Sequence, residues 1–105
     1  MRKVQANHIC YKLIKGKEVT KTFKGHLYFD DDGIRFKNIT KDVFNIWTEE
    51  ASFLYSDIVE VKEKNFGLFK TGIVIITHKD VHTFAVNNRD LILDYIKEKM
   101  SKQED

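Results

Sequence analysis

The chain contains no proline and one cysteine, Cys10, in 105 residues. A lone cysteine excludes an intrachain disulfide, and no four-ligand cysteine cluster for zinc can be drawn. The absence of proline argues against a stiff linker between two units. The five glycines are scattered singly, so no glycine-rich loop exists to cradle a phosphate. Long apolar runs are missing too. The longest aliphatic stretch, Ile73 to Ile76, is far short of a bilayer span, and the basic start Met1-Arg2-Lys3 leads into no apolar run of signal-peptide length. These absences predict a single cytoplasmic domain over residues 1–105 with no transmembrane segment and no need of an oxidising compartment.

Hydrophobic residues make up 42% of the chain and charged residues 32%, enough apolar material for a packed interior. The net charge of +2 hides an asymmetry: residues 1–25 carry seven basic side chains against Glu18, whereas residues 26–60 carry eight acids against Arg35, Lys37 and Lys41. That division predicts one basic edge able to concentrate anions.

Short alternating apolar stretches fill the first 86 residues, and side chains at i and i+2 share a strand face. Leu27 and Phe29 meet Ile34 and Phe36 across a hairpin, for which Asp32-Gly33 is expected to supply a positive-φ turn. A second hairpin is predicted from Gly72 to Val86 around His78-Lys79-Asp80, its first strand apolar on both faces and therefore central. Weaker strand signals cover Val4 to Ile14, Val19 to Lys24, Ala51 to Tyr55 and Ile58 to Glu63. The period then changes. Ile92, Leu93, Ile96 and Met100 fall on one stripe, which predicts an amphipathic helix over about 88–101.

The runs Gly25-His26-Leu27-Tyr28-Phe29, Gly33-Ile34-Arg35-Phe36-Lys37, Leu54-Tyr55-Ser56-Asp57-Ile58-Val59-Glu60-Val61, Gly67 to Thr77 and Phe84-Ala85-Val86-Asn87-Asn88-Arg89-Asp90 resemble GRAM domains of the pleckstrin-homology-like superfamily. The similarity is closest to the short bacterial stand-alone kind and spans about residues 4–100. It departs at Phe53, where such domains often have proline. The resemblance implies a mainly β barrel of about seven antiparallel strands in two roughly orthogonal sheets, capped by the C-terminal helix. It also implies a non-catalytic module that binds lipid headgroups, membranes or protein segments.

Two surfaces stand out for binding. Lys12, Lys15, Lys17, Lys21 and Lys24 line the first strand, its turn and the second strand, where lysines act on phosphates as point charges. No arginine lies between Arg2 and Arg35, so bidentate phosphate recognition is not expected there. The second surface is Lys64, Phe66, Leu68, Phe69 and Lys70, where large apolar residues in a glycine-containing loop are flanked by lysines. Such a loop either dips into a bilayer boundary or partner groove, or folds back over the barrel mouth. Trp47 is a third candidate, at an edge where a partner strand could add.

No catalytic constellation emerges. Cys10 sits in a strand pattern beside Ile9 and Tyr11 and reads as an inert, partly buried thiol. His78 and His82 bracket a turn, but nothing in the sequence gives His8 or Cys10 a reason to join them, so no metal site is expected. Phe36 reads as core rather than as a base-stacking platform, and the acidic middle third breaks any phosphate track, so no nucleic-acid partner is expected. The expected activity is reversible docking on an anionic phospholipid surface at the inner membrane face, without cofactor. The rival is protein-protein interaction, including weak homo-oligomer formation through an edge strand.

Overall fold

A computed structural model describes residues 3–39, 50–67 and 71–103. Among these, seven strands precede one helix: β1 Lys3–Ile14, β2 Lys17–Phe29, β3 Gly33–Asn38, β4 Ala51–Leu54, β5 Ile58–Asn65, β6 Thr71–Thr77, β7 Val81–Val86 and α1 Arg89–Gln103. A single 3-10 turn, Tyr55–Asp57, joins β4 to β5. All pairings are antiparallel, in the order β4-β3-β2-β1-β7-β6-β5. The fold is therefore mainly β, a curled sheet forming a half-barrel with one capping helix. Its two halves, β1–β4 and β5–β7, are joined along β1 and β7 by the rungs Ala6–Val86 to Ile9–Thr83.

Strand alternation decides what lies inside. His8, Phe23, Leu27, Ile34, Phe36, Ile73, Ile75, Phe84 and Val86 all face the concavity and are buried. Ile92, Leu93 and Ile96 of α1 close the same core, with Met100 packed at its margin, so the predicted helical stripe is the buried face. Burying side chains of this size stabilises by about 1.5–3 kcal/mol each. The β6–β7 hairpin forms as expected, and the Thr77 hydroxyl accepts from the amides of Lys79 and Asp80, fixing the turn.

Two expectations are corrected. Asp32-Gly33 supplies no positive-φ turn. Positive φ occurs among the described residues at Lys15, Gly16 and Gly67. The β2–β3 connection closes instead through an Asp30 amide to Gly33 carbonyl bond of 2.9 Å. Gly33 is buried at the start of β3, where a Cβ would strike the Phe53 carbonyl. The second correction is that the segments around Val19 to Lys24 and Leu27 to Phe29 are one continuous strand. Gly25 does not interrupt it, because the absent side chain leaves room for the Lys37 carbonyl and the Phe36 ring.

Candidate functional site

β1 pairs with β7 only through Ile9, and β2 pairs with β3 only from Gly25 onward. The hairpin nevertheless continues to Ile14 and Lys17, which pair with each other. Its connection, Lys15 (φ 53) and Gly16 (φ 77), is a two-residue turn with both φ positive. That conformation matches the right-handed twist of the flanking strands. Among the described residues, 10–24 thus form a two-stranded arm, paired only with itself over most of its length. At about 3.3 Å per residue it projects roughly 15 Å past the rest of the sheet. The molecule is elongated accordingly, 45 × 29 × 26 Å.

The arm is where the predicted basic cluster lies, but the cluster is not one surface. Cross-strand partners share a face, and Cys10 pairs with Lys21 and Ile14 with Lys17. Lys17, Val19, Lys21 and Ile14 therefore continue the inner face. Lys24 pairs with Asn7 and lies on the outer face with Tyr11 and Leu13, while Lys15 occupies the tip. Lys12 pairs with Val19 in the backbone, and its side chain lies outside the described residues. Leu13 is 76% exposed with Tyr11 on the same face, and Ile14 and Val19 are exposed on the other face. Large apolar side chains gathered on a projecting ribbon among cations are an unusual use of surface.

The second predicted surface is divided as well. Leu68, Phe69, Lys70 and Trp47 lie outside the described residues. Phe66 does not project: it is half-buried against Gly72, at a position where any Cβ would collide with its ring. Lys64 reaches toward the arm, its Nζ lying 5.8 Å from the ring centroids of both Tyr11 and Phe66. A cation at that range of a ring face is attracted by about 0.5–1 kcal/mol when exposed. The two candidate surfaces thus meet at the arm's root. Between them lies a cleft of about 500 Å³ lined by Asn7, Ile9, Tyr11 and Thr22 from the hairpin and by Phe66 and Thr71 from the other half.

Sequence reasoning missed Arg89. Its Nη1 donates to the Lys64 carbonyl (3.2 Å) and to Asn65 Oδ1 (2.6 Å), pinning the end of β5 to the start of α1. A lone arginine after Asn87-Asn88 gave no signal, because the bond spans two distant segments.

The histidines also depart from expectation. His78 is exposed, whereas His82 faces inward with Phe84. His8 and Cys10, expected apart from them, are gathered there: His8 lies 5.6 Å from His82 between ring centroids, and Cys10 Sγ is 3.9 Å from His8 Nδ1. Pairing of β1 with β7 brings them together. Among the described residues no group of three or more histidine, cysteine or acidic side chains is placed to hold a metal ion. Burial, reinforced by the neighbouring His82, depresses the His8 pKa to about 4.

No family model matches the chain, and no curated protein matches it. Among solved structures it is similar to the C-terminal domain of an unknown protein from Leishmania infantum. The two are 16% identical with a TM-score of 0.59, and the match covers 90% of this chain and 80% of that one. Likeness at that identity speaks for a shared fold. No helix among the described residues is long and apolar enough to cross a membrane.

Proposed function

We propose that this chain is a non-catalytic, GRAM-type binding module that docks reversibly on anionic lipid surfaces through its β1–β2 arm. One observation carries the reading: the arm exposes Tyr11 and Leu13 on its outer face and Ile14 and Val19 on its inner face, with Lys15 at the tip, Lys17 exposed and Lys21 half-buried on the inner face. A bilayer interface accepts both kinds of group at once, the apolar side chains at the acyl boundary and the ammonium groups among headgroup phosphates. Each lysine near an anionic surface contributes about 1 kcal/mol, so three give weak, reversible, salt-sensitive attachment at the inner membrane face. Lys64 flanks the root, its Nζ over the Tyr11 ring, and adds a further cation there.

Vesicle co-sedimentation at two salt concentrations tests this. Acidic vesicles should retain the protein at low salt and release it as ionic strength rises, because screening shortens the reach of the lysines. Neutral vesicles should retain little.

The arm's backbone edges, which pair with no other strand among the described residues, favour a second reading, addition of a partner strand from another protein or another copy. Failure of acidic vesicles to bind at low salt would leave that reading as the one to pursue.

A further inference from the structure

We propose that His8 and His82 form an acid-sensitive latch at the root of the arm: protonation of buried His8 against its half-buried neighbour His82 opens the seam between β1 and β7. The inference does not depend on what the arm binds.

The seam is short. Beyond Ile9 and Thr83 the two strands part; His8 sits on the last rung but one, opposite Phe84, and His82 follows immediately past the last rung, paired with Ile75 of β6. His8 is 3% exposed and lies in an aromatic nest, stacked on Phe84 at 4.6 Å and edge-on to Phe36 at 5.3 Å. His82 stacks on Phe53 at 5.0 Å and faces His8 from the opposite strand. Neutral, the two rings behave as aromatic packing and hold β1 to β7. Charged, they would place like charges within about 6 Å in apolar surroundings, where ions are strongly disfavoured.

Among the described residues, the charged groups that face the pair are few. Lys21 pairs with Cys10 on the same face and adds to the repulsion. Lys64 and Asp80 both line the cleft of about 560 Å³ beside the pair, one of each sign. From β6 the facing residue is Ile75, from β3 Phe36 and from β4 Phe53, none of them charged. Opening lets water reach both rings, so acid favours the open form. With a native pKa of about 4 against an ordinary 6.5, titration of His8 alone raises the opening equilibrium about 20-fold between pH 7 and pH 5.

Cys10 reports the opening, being buried beside His8 and the chain's single thiol. The full chain is labelled with an aromatic disulfide in dilute urea at pH 7 and pH 5, each rate normalised to the denatured chain at the same pH. The expected result is an acceleration of about 20-fold at pH 5 that changes little with urea, as local opening requires, and that His8→Phe abolishes. Three results would overturn the latch: equal normalised rates at the two pH values, a urea slope matching global unfolding, or undiminished acceleration in His8→Phe. Should that variant fail to fold, amide exchange in the unaltered chain, normalised to intrinsic rates, decides: faster exchange at His8, Ile9 and Phe84 at pH 5 than at pH 7 with the rest of the core unchanged supports the latch, and equal protection at the two pH values refutes it.

Discussion

Replacing Lys15, Lys17 and Lys21 together by glutamine removes three charges from the arm while keeping most of each side chain's bulk. At about 1 kcal/mol per lysine near an anionic surface, the loss is about 3 kcal/mol, roughly a 150-fold weaker partition onto acidic vesicles. The apolar share is separable. Leu13→Ala removes three carbons at about 0.8 kcal/mol each, roughly 50-fold if the side chain is fully withdrawn from water on docking. The two variants should differ in salt response: the lysine variant binds weakly with a flattened salt dependence, and the leucine variant binds weakly but retains the parent's slope. Co-sedimentation with vesicles of fixed anionic fraction at several salt concentrations reads both. Lys15, Lys17 and Leu13 are exposed and Lys21 is half-buried opposite Cys10; thermal unfolding of each variant should change by no more than about 1 kcal/mol, and the melt checks that the variant is folded. Parent binding that ignores salt, or a lysine variant that binds as the parent does, would refute the assignment of the arm.

Acid should also weaken the fold as a whole. His8 is neutral in both states above pH 6.5; below that the unfolded chain takes up the proton first, so stability falls until the native ring titrates near 4. At about 1.4 kcal/mol per pH unit the loss over this window is about 3 kcal/mol, read by urea melts at successive pH values, and His8→Phe should flatten it. Gly25→Ala forces a Cβ into the Lys37 carbonyl, backbone that cannot yield cheaply, and should lower stability by about 1–3 kcal/mol in the same melts. Arg89→Met removes the bonds to Lys64 and Asn65 and should cost about 1–2 kcal/mol, with faster amide exchange at the end of β5.

Periodicity made the core legible. Leu27, Phe29, Ile34 and Phe36 alternate cleanly, Ile92, Leu93 and Ile96 recur at helical spacing, and all seven are buried. The arm was not legible, because alternation along a strand does not reveal whether a neighbouring strand lies alongside. The lysines between Leu13 and Phe23 would read the same in the middle of a sheet. Gly25 misled for a related reason: a glycine reads as a break, and here it admits the next strand's carbonyl. The inward turn of His82 was within reach, since it shares parity with Phe84 and Val86. Its meeting with His8 was not, because that requires pairing between strands from opposite ends of the chain.

The division of charge noted in the sequence becomes a direction in space. β2 runs 13 residues from Lys17 at the arm to Phe29, where Asp30, Asp31 and Asp32 follow. At about 3.3 Å per residue the acidic turn stands roughly 40 Å from the base of the tip. Asp30 is held by Arg35 at 2.7 Å, so Asp31 and Asp32 carry most of the turn's uncompensated charge. An anionic surface would draw the arm inward and hold that turn away. At 0.1 M salt the screening length is about 10 Å, so Asp31→Asn with Asp32→Asn should leave vesicle affinity unchanged; at 0.01 M, where it reaches about 30 Å, affinity should rise measurably. A module lying on its side, or docking by its opposite end, would bring those carboxylates within a few ångströms of the headgroups, and the same double substitution would then strengthen binding at 0.1 M as well. Such a gain at the higher salt would rule out arm-first docking.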